Sequence, residues 1–157
     1  MNTQLDQAND ALQRDDIVLA TRLYHDAIQA DPKNPFAHEG LAKCLFLSKR
    51  YEEAIAECSK ALEFDASLEA PHRMLADIYL RKKQFDMYEH ELTSILTISP
   101  NSPDILAALG QLFLNTKRVE AGVSAFRAAA DLEPSNWIAH CGLAAAYVKQ
   151  SPAPRGL

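Results

Sequence analysis

This chain of 157 residues is poor in the residues that build most small-molecule sites. It has only five glycines, and they form no Gly-rich loop with a lysine that could cradle a phosphate. Its three cysteines show neither a paired nor a metal-ligand spacing, and the zinc-binding pattern His-Glu-x-x-His is missing. These absences predict a protein that is not an enzyme and needs no cofactor or metal. They also predict reduced cysteines and a cytoplasmic location.

Long apolar runs and an excess of positive charge are missing as well. No segment reaches the length needed to cross a membrane, and the first residues are too polar for a signal peptide. The net charge is −5, and the lysines and arginines are scattered, so no basic stripe is available for phosphate groups. The sequence therefore predicts neither membrane insertion nor nucleic-acid binding.

A period of 34 residues organises the whole chain. Pro32, Pro100 and Pro134 stand one or two periods apart, and Ala66 takes the missing place in the series. We call residues at the same position of successive periods a column. The eighth column consists of small residues: Ala8, Ala42, Ala76, Gly110 and Ala144. A strict period of this length predicts a stack of similar supersecondary units, with function on a repeated surface.

The period defines the predicted domain organisation. There are four repeats, a half repeat and an unstructured tail, at 1–34, 35–68, 69–102, 103–136, 137–150 and 151–157. Apolar residues recur at helical spacing within each repeat, and strict strand alternation is missing. Each repeat should therefore hold two amphipathic helices, with N-cap residues in the turns between repeats. We expect about nine helices of roughly 13 residues.

The columns resemble the tetratricopeptide repeat, whose signature includes a Leu-Gly pair, aromatic residues, a small residue and a proline at fixed offsets. The repeat at 103–136 fits best, with Leu109, Gly110, Phe113, Gly122, Phe126 and Pro134. The resemblance implies an all-α fold, a right-handed α-solenoid of antiparallel helix pairs. It also implies a non-catalytic scaffold or adaptor for protein–protein interaction.

In this family, the first helix of each repeat lines a concave groove, which the resemblance carries over to this chain. The predicted peptide-binding groove consists of Leu12, Phe36, Glu39, Lys43, Phe46, Leu47, Arg73, Met74, Asp77, Leu80, Arg81, Gln111, Leu114, Ile138 and Val148. Its twelfth column is apolar throughout, either as a ligand platform or because it half-buries against the neighbouring helix. We expect small residues such as Gly40 and Gly142 to leave room for a ligand.

Charges in this groove should neutralise one another. Glu39 with Lys43, and Arg73 with Asp77, stand four residues apart on one helix face. Without a field of a single sign, a strongly charged ligand is a poor candidate. The sequence therefore predicts a protein partner that supplies a partly apolar peptide or an amphipathic helix.

A column of histidines is the most conspicuous candidate metal site. His38, His72 and His140 occupy equivalent positions, so neighbouring members should lie about 10 Å apart, the spacing of packed helices. Metal ligands must meet at about 2 Å from one ion. We therefore interpret these histidines as structural fillers of the slot where the family often has tryptophan.

Glu57 and Lys60 are expected on an ordinary solvated face.

Two alternatives to the adaptor role remain open. The array could be a self-assembling structural protein, a homo-oligomer joined through residues 137–150, because the helix there is rich in apolar residues. It could also be a regulatory fragment of a larger enzyme or receptor.

Tyr88 stands in a column of small residues, which predicts a wider helix separation within residues 71–98.

Overall fold

The computed structural model describes residues 4–150. The predicted tail at 151–157 and the first three residues of the first repeat lie outside the described residues. The described chain forms nine helices and no strand, which confirms the all-α helical repeat. In order they are α1 (Gln4–Gln13), α2 (Ile17–Ala30), α3 (Pro35–Leu47), α4 (Tyr51–Phe64), α5 (Glu69–Arg81), α6 (Phe85–Ile98), α7 (Pro103–Asn115), α8 (Val119–Leu132) and α9 (Trp137–Gln150).

The turns between repeats start the next helix with side-chain caps, although not everywhere. The side-chain oxygen of Asn34 accepts hydrogen bonds from the backbone N–H groups of Phe36 and Ala37, at 3.1 and 3.2 Å. Asn136 caps α9 in the same way. Ser102 occupies the equivalent place before α7, but its hydroxyl donates to a carbonyl of the preceding turn. The helix start therefore depends on a side-chain cap at some repeats only.

The turns within repeats share a backbone conformation that the sequence did not indicate. Four residues at the fifteenth column have left-handed φ values of 57° to 63°: Asp15, Lys49, Lys83 and Lys117. The next backbone N–H reaches back to the end of the first helix, as in the 2.9 Å bond from Arg50 to the Leu45 carbonyl. These turns separate the two helices that the sequence predicts within each repeat. Their geometry was not predictable because none of these residues is a glycine.

The chain divides into two compact units, Met1–Gln84 and Phe85–Leu157, which we call the N-terminal and the C-terminal unit. In the N-terminal unit, α1 packs on α2 and α3 packs on α4, while the first helices α1, α3 and α5 are neighbours. In the C-terminal unit, α7 packs on α6, α8 and α9, and α8 packs on α9. The boundary falls between the two helices of the third predicted repeat. The wider separation expected there stays a prediction.

Small residues line the closest helix contacts in both cores. In the N-terminal unit, Ala8, Ala20 and Ala54 are fully buried beside Tyr24 and Leu41. In the C-terminal unit, fully buried alanines of α8 and α9 surround Phe126. Small residues let helix backbones approach closely, and the large ones fill the space between them.

The cysteines lie in different environments. Cys44 and Cys58 are buried and Cys141 is exposed. Burial raises the pKa of the Cys44 thiol. A raised pKa keeps this thiol protonated and unreactive, as expected for a cysteine that fills a core.

Candidate functional site

A cavity of about 270 Å³ lies between α1 and α3 on the face of the N-terminal unit that the first helices form. Its lining consists of Leu5, Asn9, Leu12, Tyr24, Phe36, Glu39, Gly40 and Lys43. Four of the predicted groove residues are therefore brought together here. We call this depression the α1–α3 cavity.

The wall of the α1–α3 cavity is closed by a side chain from α2. The Tyr24 ring is almost fully buried, and its hydroxyl donates to the Asn9 side-chain oxygen at 2.6 Å. Burial, with a smaller contribution from neighbouring groups, raises the pKa of Tyr24 to about 12. The phenol therefore stays protonated and holds α1 to α2. Asn9 and Tyr24 were both missing from the predicted site.

The glycine of this cavity does not leave room for a ligand, as we had expected. A Cβ atom built on Gly40 would lie 2.1 Å from Cε1 of Tyr24, so the ring already occupies the space. The C-terminal unit repeats the arrangement, since a Cβ on Gly142 would lie 2.3 Å from the ring of Phe126. The expectation was wrong for both glycines. Their lack of a side chain serves internal packing, with an aromatic ring of the preceding helix as the occupant.

The charges on this face pair differently from the prediction. Arg73 bonds to Glu69 at 2.5 Å, one turn earlier on α5, and Asp77 bonds to Arg81 at 3.3 Å, one turn later. Arg73 and Asp77 were predicted to pair with each other, but each bonds to a different residue one helical turn away. Both signs still alternate along the face, which keeps the local field weak.

Glu39 stands apart from these exposed pairs. Burial raises the pKa of its carboxyl, and the charge of Lys43 works in the opposite direction. Glu39 and Lys43 were predicted to neutralise each other, and the charge of Lys43 does favour the ionised form of Glu39.

The predicted apolar groove residues of the N-terminal unit, which we call the apolar stripe, are unevenly exposed. Phe36, Leu47 and Leu80 expose 53%, 48% and 43% of their surface. Phe46 is half-buried, with its ring 5.8 Å from that of Tyr51 and the Arg81 guanidinium 5.9 Å from its centre. It also packs on the core cluster of the N-terminal unit that joins α1 to α5. Phe46 therefore combines a structural contact with a partial surface position, whereas the other three present accessible apolar area. Met74 and Leu12 are half-buried.

Four predicted groove residues belong to the C-terminal unit. Ile138 and Val148 are exposed, and Gln111 is exposed with its amide donating to Asn115 at 3.1 Å. Leu114 differs from the expectation, because only 3% of it is exposed and it packs in the core of α7, α8 and α9. Its position in the apolar column reflects burial against neighbouring helices.

A buried contact between a histidine and a glutamate, which the sequence analysis missed, holds the start of α3. His38 is 3% exposed, its Nδ1 lies 2.6 Å from a Glu57 carboxylate oxygen, and its Nε2 lies 3.0 Å from the Pro32 carbonyl oxygen. Lys60 binds the other oxygen of Glu57 at 2.8 Å. Glu57 is therefore not on the solvated face to which we had assigned it.

This cluster predicts a loss of stability in acid. Burial opposes ionisation of Glu57, but the hydrogen bonds from Lys60 and His38 prevail and lower its pKa. A carboxyl with a lowered folded-state pKa contributes stability above its unfolded pKa, and this stability disappears as pH falls through the folded value. We expect the wild type to lose more stability than Glu57→Gln from about pH 5 to about pH 3. Urea unfolding at each pH measures this, and parallel curves for both proteins would contradict it.

A second histidine of the column, His140, makes a contact that supports a structural role. His140 Nε2 lies 2.8 Å from the Pro134 carbonyl oxygen, which is the same contact that His38 makes with Pro32. Among residues 4–150, no group of three or more His, Cys, Asp or Glu side chains could hold a metal ion. Within the same range, no helix is long and apolar enough to cross a membrane.

Sequence comparisons agree with the repeat pattern. Two family profiles, both described as tetratricopeptide repeat, match residues 11–78 and residues 100–151. TPR repeat-containing thioredoxin TTL4 of Arabidopsis thaliana is 42% identical over 62 residues, which are 40% of this chain and 9% of that protein. Anaphase-promoting complex subunit 3 of Schizosaccharomyces pombe is 19% identical over 114 residues, 73% of this chain and 17% of that protein. The chain thus spans less than a fifth of these relatives.

Solved structures share the fold at low sequence identity. MamA from Desulfovibrio magneticus RS-1 superposes with a TM-score of 0.80 at 18% identity, over 94% of this chain and 83% of that chain. YrrB, described as a TPR protein with an unusual peptide-binding site, gives 0.81 at 18% identity, over 94% and 76%. At this identity the likeness shows the fold alone. Together with the two profile matches and the repeated helix pairs, it leads to one conclusion: the chain belongs to the tetratricopeptide repeat family.

Proposed function

We propose that this chain is a non-catalytic protein-interaction scaffold that binds a partly apolar peptide or helix on the first-helix face of its N-terminal unit. The observation that carries the proposal is the α1–α3 cavity, which lies among predicted groove residues and has the exposed ring of Phe36 at its edge. Repeat arrays bind partners on extended surfaces of this kind. The cytoplasmic location stays a prediction.

The chemistry of the cavity favours a peptide over a charged small molecule. Apolar area comes from Leu5, Leu12 and Phe36, and the rim carries one acidic and one basic group, Glu39 and Lys43. A peptide offers apolar side chains together with backbone donors and acceptors, so it can use both kinds of surface. Since the two charges are of opposite sign, neither an acidic nor a basic ligand gains from the field, and moderate salt should change affinity only weakly.

Selection from a random peptide library tests this function. We expect the enriched peptides to carry large apolar residues, and the double variant Phe36→Ser, Leu80→Ser to bind them at least about tenfold more weakly, because a few desolvated anchors carry most of the affinity. Both side chains are well exposed, so the variant should stay folded. Val18→Ser on α2 is the matched control, since Val18 is 84% exposed. Equal affinity of the double variant and this control would refute the proposed site.

A second candidate function treats the repeats as one part of a larger protein. Its support is that the curated relatives are much longer than the matched segment, and that one of them is described as a TPR repeat-containing thioredoxin. In this role the first-helix face would regulate another domain of the larger protein or recruit a binding partner to it. Assembly of identical copies through residues 137–150 is the remaining alternative, which the mass in solution tests.

A further inference from the structure

The α1–α3 cavity contains a carboxylate that receives no hydrogen bond. Glu39 lines the cavity and is half-buried. Among residues 4–150, no group donates a hydrogen bond to its carboxylate, and Lys43 acts on it through charge alone. Lys43 itself is exposed. A partly buried carboxylate without a hydrogen bond is costly, so this group favours a ligand that brings donors.

Two further oxygen atoms of the cavity wall add to this preference. The Tyr24 hydroxyl uses its proton in the bond to the Asn9 side-chain oxygen, so both oxygens keep lone pairs that can accept. Burial is the main cause of the raised pKa of Tyr24, and the charge of Glu39 contributes to it. The carboxylate and the phenol are therefore within electrostatic reach of each other. Acceptor groups from α1, α2 and α3 thus line one cavity.

The rest of the lining suits a long, partly apolar side chain. Leu5 and Leu12 of α1 and Phe36 of α3 contribute apolar surface. At about 270 Å³, the cavity is smaller than the sites that hold most small-molecule ligands, and it suits a single side chain. A lysine side chain combines an apolar stem with an ammonium group that has three donors and no acceptor. It therefore matches both the apolar wall and the acceptor groups.

The acceptor groups belong to this cavity and not to the repeat in general. Glu39 stands at the fifth column, where the C-terminal unit has an alanine and a cysteine. Phe126 takes the place of Tyr24, and it fills the space at Gly142 without a hydroxyl group. Packing against the glycine therefore requires an aromatic ring but no polar atom.

We propose that the α1–α3 cavity takes a lysine side chain of the bound peptide, with the ammonium group against Glu39 and the stem against the apolar wall. This inference rests on the function proposed above, because it specifies one residue of the same peptide. The opposite charges of Glu39 and Lys43 cancel at a distance, so they do not attract a basic peptide over a long range. Inside the cavity the ammonium group contacts Glu39, while solvent screens the exposed Lys43.

Parallel selections from one random library of N-terminally acetylated peptides test this inference. We expect the peptides enriched on the wild type to share a lysine next to large apolar residues. Selection on Glu39→Gln should lose the lysine and keep the apolar residues, because glutamine retains the shape of the side chain but not its charge. Glu63→Gln is the matched control, since Glu63 is an exposed residue of α4 outside the cavity. This control should select the lysine as the wild type does.

A selected peptide then measures the strength of the contact. Replacing its lysine with norleucine, which keeps the stem, should weaken binding to the wild type at least about tenfold, as expected for a lost charge-assisted hydrogen bond. The same replacement should change binding to Glu39→Gln by about twofold or less, because the partner of the ammonium group is already missing. Lys43→Gln should bind the lysine peptide more tightly than the wild type does, since a like charge at the rim is removed.

Two results would overturn the inference and leave the proposed function intact. One is enrichment of apolar peptides without a shared lysine, and the other is a lysine that Glu39→Gln selects as strongly as the wild type. If no peptide is enriched, or if the enriched peptides bind the Phe36→Ser, Leu80→Ser variant as tightly as the wild type, the proposed function fails and the lysine site fails with it.

The stability of the variant does not limit this test. Burial disfavours the charge of Glu39, so Glu39→Gln should be at least as stable as the wild type at neutral pH. Urea unfolding of each variant verifies that it is folded under the conditions of the selection.

Discussion

Replacing Gly40 with alanine should destabilise the N-terminal unit by about 2 to 3 kcal/mol, because the added methyl group overpacks a rigid contact. The Cβ would lie 2.1 Å from one Tyr24 ring carbon and 2.2 Å from the next. The ring has little freedom to retreat, since it is 1% exposed and its hydroxyl is bonded to Asn9. At an ordinary helix position the same change stabilises by about 0.5 to 1 kcal/mol, so the sign itself is informative. Urea unfolding measures the difference.

A rescue and a control sharpen this experiment. Gly40→Ala should cost less stability in a Tyr24→Leu background than in the wild type, because leucine can move away from the new methyl group. Gly122→Ala is the comparison and should cost less, since its Cβ would lie 3.1 Å from a Leu114 methyl carbon and 3.2 Å from the Gly110 carbonyl oxygen, about 1 Å farther than the Tyr24 ring lies from a Cβ on Gly40. A Gly40→Ala protein as stable as the wild type would show that Tyr24 does not fill this space.

Replacing His38 with phenylalanine should cost about 3 kcal/mol, because two hydrogen bonds of a buried ring are lost and a larger ring must fit in their place. The Glu57 carboxyl group, whose side chain is 14% exposed, would lose its contact with Nδ1, and the Pro32 carbonyl would lose its contact with Nε2. Leaving a partly buried charge short of donors is more costly than losing an exposed contact. Chemical unfolding at neutral pH provides the measurement.

The matched control lies in the same column. His140 is exposed, and its Nε2 makes the equivalent 2.8 Å contact with the Pro134 carbonyl. His140→Phe should therefore cost about 1 kcal/mol or less, as expected for one exposed hydrogen bond. If both substitutions cost the same, the contact of His38 with Glu57 contributes nothing beyond the shared contact with the proline carbonyl.

The helical repeat was predictable from the sequence because its period determines both packing and turns. Small residues at the eighth column and large ones at the eleventh recur without reference to partners, and the structure uses them as expected at Ala42 and Leu45. The left-handed turn residues were not predictable, since three of the four are lysines and only Asp15 is of a residue type enriched at positive φ.

The candidate site was less predictable because column-by-column reading ignores contacts between columns. The twenty-fourth column meets the sixth column of the next repeat, and the two compensate in volume. Tyr24 faces Gly40 and Phe126 faces Gly142, whereas the small Cys58 shares a cluster with the large Met74. Comparing these two columns as pairs would have shown that the glycines serve packing. The pairing of His38 with Glu57 likewise joins residues from two helices.

Mapping a selected peptide onto the chain by NMR tests the proposed function most directly. With a saturating library-selected peptide, we expect the largest changes in methyl and amide chemical shift at the α1–α3 cavity and along the apolar stripe. The residues concerned are Leu12, Phe36, Lys43 and Leu80. The second helices α2 and α4 should shift little on their outer faces, for example at Val18. Shifts concentrated on those outer faces, with the cavity residues unchanged, would contradict binding by the first helices and move the interaction surface to the opposite side of the unit.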